Sequence, residues 1–282
     1  MSDQNDVMKS RVEAGLHVDM SKSMTYGDYL HLDDLLGAQV PLTDAHDEML
    51  FIVIHHVQEL WLKQIIHEMG HAIDALQQDE TAIAFKSLAR VSRVQEQLLS
   101  AWDVLSTLTP SDYLTFRDQL GKSSGFQSYQ YRKLEFLLGA KDPKMMQPHA
   151  HRAEIHSDLA AVLNAPSIYD EAIKLLARKG FSLPSELLER DWANPHAFSE
   201  ELQVVWLEIY RDPDQYFELY QLGEELVDVE DWFQQWRFRH MKTVERIIGH
   251  KTGTGGSSGV GFLKTALERR FFPELWDVRT LL

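Results

Sequence analysis

The stretch DQYFELYQLGEELVDVEDWFQQWRFRHMKTVERII, residues 214–248, decides the fold. It contains no proline, and its apolar residues return every three or four positions, the spacing of one face of an α-helix. Trp232, Trp236, His240 and Val244 share that face at successive turns. A second proline-free stretch runs from Asp47 to about Gln78, with Leu50-Phe51-Ile52-Val53-Ile54, Leu60, Trp61, Ile65, Ile66, Met69 and Ile73 at helical spacing. A third starts near Thr81, runs to about Leu108 and stops before Thr109-Pro110. Shorter helices are expected over Thr25–Leu36, Ser111–Leu120 and Gln127–Leu138, the last stopped by Gly139, and from near Val260 with an interruption at Pro273. Pro143, Pro148, Pro166, Pro184 and Pro195 cut residues 141–200 into short helices, read as a small inserted subdomain. The first twenty residues read as an N-terminal arm. No strand alternation and no internal repeat is present. The expectation is therefore one all-α domain over residues 1–282, a helical bundle built on long core helices.

The chain has 282 residues, and 44% of them are hydrophobic, enough for a substantial core. Its formal net charge of -15 disfavours a nucleic-acid surface or a polybasic membrane contact. There is no cysteine, which excludes disulfides, iron–sulfur clusters, cysteine-ligated zinc, thiolate-ligated heme and covalent heme attachment. The start, MSDQNDVMKSRVEAGLHVDM, lacks the apolar core of a signal peptide, and no apolar run is long enough to span a bilayer. A cytoplasmic location is expected. Any metal ligand must come from His, Asp, Glu or Tyr, and the 13 histidines are the richest source.

Five constellations could carry chemistry. His67-Glu68-Met69-Gly70-His71 has the HExxH spacing of zinc peptidases, but no third ligand follows it. At about 100° per residue the pair lies roughly 120–160° around the helix from His55, which puts it on an outer or subunit-facing surface. Phe51 and His55, one turn apart, either belong to the core or form the wall and polar floor of a flat aromatic pocket. Tyr113 and Arg117 share a helix side, where the Arg fork suits a carboxylate, and Gly121 to Gly125 follows with small residues that a ligand can approach closely. His240 among Trp232, Trp236 and Val244 is either a core histidine or an axial iron ligand. The flanking Arg237, Arg239, Lys242 and Arg246 would then counter heme propionates or sit in solvent. Finally, Gly249 to Gly261 is a mobile loop that matches neither a Walker A motif nor GxGxxG and could close over a small substrate.

Long segments carry a more specific signal. TYGDYLHLDDLL (25–36), DEMLFIVIHHVQELWLK (47–63), SDYLTFRDQLGKSSGFQSYQYRKLEFLLG (111–139), LVDVEDWFQQWRFRHMKTVERIIGHKTGTGGSSGVGFL (226–263) and FFPELWDVRTLL (271–282) resemble the tryptophan 2,3-dioxygenase family. The resemblance implies an all-α enzyme holding heme b, ferrous in its active form, with O2 as co-substrate. Such an enzyme inserts both oxygen atoms across the indole C2–C3 bond of L-tryptophan to give N-formyl-L-kynurenine, the first step of the kynurenine pathway. It implies a homotetramer that exchanges N-terminal segments between subunits. His240 matches the proximal heme ligand, and Trp102 and Val244 match heme-pocket positions. His55 matches the distal histidine that meets the indole N–H, and Phe51 a wall of the indole pocket. Tyr113 and Arg117 match the carboxylate-binding pair, Ser124 and Gly125 the loop over the distal side, and Thr254 the loop residue at the substrate's amino-acid end. Tyr26, Tyr29 and Leu30 match residues given to the site by a neighbouring subunit. In that family His67 and His71 are not ligands.

Two other classes remain open at this level: an HExxH zinc metallopeptidase, and a non-catalytic heme or gas-binding protein. The first would carry stoichiometric zinc and no heme; the second would show a Soret band without turning over tryptophan.

Overall fold

Three long helices lie side by side because each presents an apolar stripe too wide to leave in water. The structure, a computed structural model, describes residues 19–282. The expected N-terminal arm therefore falls almost wholly outside the described residues. In chain order the α-helices are α1 (Tyr26–Leu30), α2 (Leu32–Gly37), α3 (Glu48–Gln77), α4 (Thr81–Leu105), α5 (Pro110–Phe116), α6 (Tyr129–Leu138), α7 (Ala153–Leu163), α8 (Ile168–Arg178), α9 (Ser185–Leu188), α10 (Glu200–Arg211), α11 (Phe217–Ile248), α12 (Val260–Leu267) and α13 (Pro273–Leu281). Short 3-10 turns cover Arg117–Leu120, Gly125–Gln127 and Pro143–His149. No strand occurs among the described residues, so the all-α expectation holds.

The chain divides into two units, Met1–Pro41 and Leu42–Leu282. The first contains α1 and α2. Residues 25–36 were expected to form one helix, but His31 takes a left-handed conformation (φ 49°) that ends α1 and begins α2. Neither helix buries a single residue. The second unit is built on α3, α4 and α11, with α4 packed between the other two. Ile65, Met69, Leu76, Leu88, Val91, Leu222, Leu226 and Val229 are wholly buried there. The α3–α4 turn is tight: Asp79 sits at φ 60° and the Glu80 amide donates back to the Ala75 carbonyl at 2.9 Å. Thr109 opens α5 with a capping box, its hydroxyl and Asp112 satisfying each other's backbone donors. Ser111–Leu120 was expected as one helix; α5 instead tightens into a 3-10 turn from Arg117, re-aiming that side chain. α6 packs on α3, and α12 on α11.

Arg237 does not follow its expectation. It neither faces solvent nor reaches out as a propionate partner, but is buried (3% exposed) and donates to Glu135 Oε1 at 2.8 Å, to the Tyr131 hydroxyl at 3.3 Å and to the Ala266 carbonyl at 3.1 Å. Its guanidinium lies 4.6 Å from the Phe233 ring centre and 5.0 Å from that of Phe271. Glu135 is shared with Arg132, so the buried carboxylate is doubly paired. A buried guanidinium needs this number of partners to offset desolvation. Arg239 pairs with Asp103, Lys242 with Glu245, and Arg246 donates to the Ser106 carbonyl.

The C-terminal segment is pinned by two carboxylates with no exposure, Glu230 and Glu274. Glu230 accepts from the Phe271 amide (2.8 Å), the Phe272 amide (3.1 Å) and Trp276 Nε1 (2.8 Å). Glu274 accepts from the Tyr169 hydroxyl (2.8 Å) and the Ser199 amide (2.7 Å). Glu230→Ala leaves two buried amides and the half-buried Trp276 N–H without an acceptor and is expected to lower stability by about 3 kcal/mol. Urea unfolding checks this: an unchanged midpoint and slope would show that the three bonds contribute nothing net.

Candidate functional site

His55 lies on the inward side of α3, and its Nδ1 is 2.6 Å from the Phe51 carbonyl one turn earlier. A carbonyl only accepts, so Nδ1 carries the proton and the neutral ring leaves Nε2 with a free lone pair. Burial holds the His55 imidazole below the ordinary histidine range, against smaller opposing effects of the Phe51 carbonyl and Glu59. The ring is therefore neutral at pH 7 and presents an acceptor. Phe51 lies against it with ring centres 4.1 Å apart. Tyr113 and Phe116 of α5 continue the wall, 5.8 and 5.5 Å from Phe51, and meet each other edge to face. Phe116 was absent from the sequence-derived set; it stands one residue before Arg117, and only the packing of α5 shows that it faces Phe51.

His240 projects from α11 and stacks on Trp102 of α4, ring centres 4.6 Å apart and planes within 12°. Trp236, one turn earlier, lies 5.4 Å from it. Burial, the larger cause, together with a smaller repulsion from His55 pushes the His240 imidazole down to about 4. Both are neutral at pH 7. Trp102 Nε1 and Thr243 Oγ1 are buried without a hydrogen-bond partner among the described residues. Val244, one turn beyond His240, is half-buried.

The loop after α11 comes down on the segment after α5. Arg117 Nη2 donates to the Thr252 carbonyl at 2.9 Å, while its Nε is buried and has no partner. Burial raises the Tyr113 phenol, and the Arg117 guanidinium beside it partly opposes that. The Thr254 hydroxyl donates to the Ser123 carbonyl. Ser124 caps the 3-10 turn that Gly125 opens. A Cβ on Gly255 would stand 2.7 Å from Ser124 Cβ, so only glycine permits this approach. Gly259, at φ 60°, turns the chain where a Cβ would meet the Lys251 carbonyl at 2.7 Å.

The structure thus brings Phe51, His55, Tyr113 and Arg117 together on one side, Trp102 and His240 on another, and joins Arg117 and Ser123 to the glycine loop. Tyr26, Tyr29 and Leu30 lie on α1 in the N-terminal unit with their side chains exposed. The HExxH motif is not a site. His67 and His71 are exposed, His71 Nδ1 lies 3.0 Å from Ser87 Oγ, and Glu68 is buried in an ion pair with Arg90 at 2.8 Å. No group of three or more potential metal-ligating side chains occurs among the described residues.

The chemistry of these residues suits a heme group. His240 offers an unprotonated nitrogen without needing to lose a proton, its surroundings are aromatic, and Trp102 Nε1 is an orphaned donor beside it.

A family profile for tryptophan 2,3-dioxygenase matches residues 11–282. The chain belongs to the tryptophan 2,3-dioxygenase family. A tryptophan 2,3-dioxygenase of Bacillus thuringiensis subsp. konkukian is 56% identical over 271 residues, covering 96% of this chain and 97% of that protein. One from Burkholderia ambifaria strain MC40-6 is 58% identical over 273 residues, covering 96% of this chain and 89% of that protein. Membership in this dioxygenase family disfavours the zinc peptidase reading, as does the geometry around Glu68.

Nitrogen NMR of the histidine-labelled apoprotein tests the imidazole states. His55 is expected to carry its proton on Nδ1 and to titrate below 6.5, and His240 to titrate near 4. Because both values are lowered, stability is full above the ordinary histidine value, falls as pH drops through it while the unfolded chain takes up protons, and stops falling once the folded rings are themselves protonated, near 4 for His240. A charged His55 at pH 7 would contradict the acceptor assignment.

Proposed function

We propose that this chain is a heme-dependent tryptophan 2,3-dioxygenase that converts L-tryptophan and O2 to N-formyl-L-kynurenine. The observation that carries the reading is a pair of neutral imidazoles on two long helices, His55 against the Phe51 wall and His240 stacked on Trp102, with Arg117 keeping an unpaired Nε edge. His240 would hold the heme iron, and Trp102, Trp236 and Val244 would line the space around the group. When bound, heme b in its ferrous form supplies the redox chemistry that lets O2 react with the indole ring.

The protein's own task is to hold the substrate and exclude water. Phe51, Tyr113 and Phe116 form an apolar wall for the indole. His55 Nε2 accepts the indole N–H, and its proton stays on Nδ1, held by the Phe51 carbonyl. Arg117 takes the substrate carboxylate on its Nε edge while Nη2 keeps the loop, and Tyr113 adds a hydroxyl donor. Thr254, Ser124 and Gly125 close the site at the amino-acid end, so binding and loop closure share the same guanidinium.

The assembly proposed is a homotetramer in which Tyr26, Tyr29 and Leu30 complete a neighbouring subunit's pocket. The 76% and 73% exposure of Tyr26 and Tyr29, on helices that bury nothing, supports such an exchange. The location proposed is the cytoplasm, in keeping with the absence of cysteine and of any helix among the described residues long and apolar enough to cross a membrane.

Absorption spectra of the reduced, hemin-loaded protein with and without L-tryptophan, followed by an assay of the formylated product, test the reading. A Soret band that responds to tryptophan, with product formed, is expected; a Soret band without turnover would leave only a heme-binding protein. His240→Ala should abolish heme retention, and an unchanged Soret band in that variant would remove His240 as the ligand. Arg117→Ala should raise KM for tryptophan about ten-fold or more with heme content unchanged; equal KM values would reject its role.

A further inference from the structure

Gln58 lies inside the 47–63 segment without an expected role there, and it is 5% exposed in the middle of α3. It follows His55 by three residues, so the two side chains are neighbours on the helix. Its amide bonds to both other long helices. Nε2 donates to the Leu98 carbonyl on α4 at 3.2 Å, and Oε1 accepts from Trp236 Nε1 on α11 at 3.1 Å. Leu98 lies one turn before Trp102, and Trp236 lies one turn before His240. Trp236 and Trp102 are themselves in contact, ring centres 5.7 Å apart, and Trp102 stacks on His240.

We propose that Gln58 is a positioning residue: its single carboxamide locks α3, α4 and α11 together one turn from His55, Trp102 and His240, and so sets the separation and tilt of the two imidazoles. The inference rests on the heme reading above for its consequence and on the hydrogen bonds for its geometry. Only a carboxamide serves. Glutamate accepts from Trp236 but has no proton for the Leu98 carbonyl at neutral pH, and methionine fills the same space with no bond to either. Apolar packing alone leaves helices free to slide by a fraction of an ångström, whereas two directional bonds at one level do not. Gln95 on α4 is a built-in comparison. It too is a buried amide that donates to α11, at the Val229 carbonyl (3.1 Å), but it sits two turns from Trp102 and bonds nothing next to an imidazole-bearing turn.

The test compares wild type, Gln58→Met, Gln58→Glu, Trp236→Phe, the Gln58→Met/Trp236→Phe double variant and Gln95→Met. Four quantities are read: hemin transfer to apomyoglobin, the Soret band with and without tryptophan, kcat and KM for tryptophan, and the nitrogen signals of His55 and His240 in the apoprotein. Gln58→Met should release hemin about ten-fold faster and shift the Soret band. It should lower kcat while KM stays within about two-fold, because the carboxylate contacts of Arg117 are untouched. Both imidazole signals should move. The double variant should be impaired by less than the two single losses combined, since the two changes share one bond while Trp236 also contacts Trp102 and His240 directly. Gln95→Met should lose thermal stability but keep wild-type hemin release and ring signals. A folded Gln58→Met with wild-type hemin release, Soret band and ring signals would overturn the proposal, as would a Gln95→Met that reproduced all its effects. Should Gln58→Met not fold, Gln58→Glu decides by the same readouts. If wild type itself takes up no hemin, the heme reading falls, and the apoprotein ring signals still judge Gln58.

Discussion

Desolvation of two imidazoles is the interaction from which the rest of the molecule follows. An exposed histidine is half charged near neutrality and spends its lone pair on water. Packing α3, α4 and α11 together removes that water from His55 and His240, and the weak pull of Glu59 on His55 does not offset it, so both rings are neutral. One becomes an acceptor of fixed direction through its bond to the Phe51 carbonyl, and the other an available ligand braced by Trp102. Long helices suit this purpose, because their backbone polar groups are satisfied internally and the space between them can be kept for side chains.

The charges that the core does admit are arranged differently. Arg237, Arg132 and Glu135 form a closed, multiply bonded group, and Glu230 and Glu274 each gather several donors. These groups fix α6, α12 and α13 against α11 rather than perform chemistry. The same distinction disposes of the HExxH motif: Glu68 has the spacing of a general base and the surroundings of a structural ion pair.

The sequence made some of this legible and hid the rest for identifiable reasons. The helical period exposed α3, α4 and α11, because a stripe of apolar residues is a local property. Spacing alone paired Phe51 with His55 and Tyr113 with Arg117, and the long motif segments gave those pairs a family. Three things stayed hidden. Phe116 and Gln58 act through contacts 40 or more residues away, which no local period encodes. Arg237 looks like any surface arginine until its helix is seen to turn it toward Glu135. Where helices break, at His31 and at Arg117, the cause is a left-handed residue and a tightened last turn, and neither needs a glycine or proline to announce it.

Both ends of the glycine loop are fastened to α11. The Gly249 amide continues the helix ladder to the Glu245 carbonyl, and Arg237 grips the Ala266 carbonyl at the far end of α12. The flap is thus a handle attached at two points to one rigid bar. Sixteen residues lie between those points, and one of the anchors, Arg237, stands a single turn before His240. A pull on the handle is therefore felt within one turn of His240, so sequence drift in the entrance is not neutral for what lies behind it.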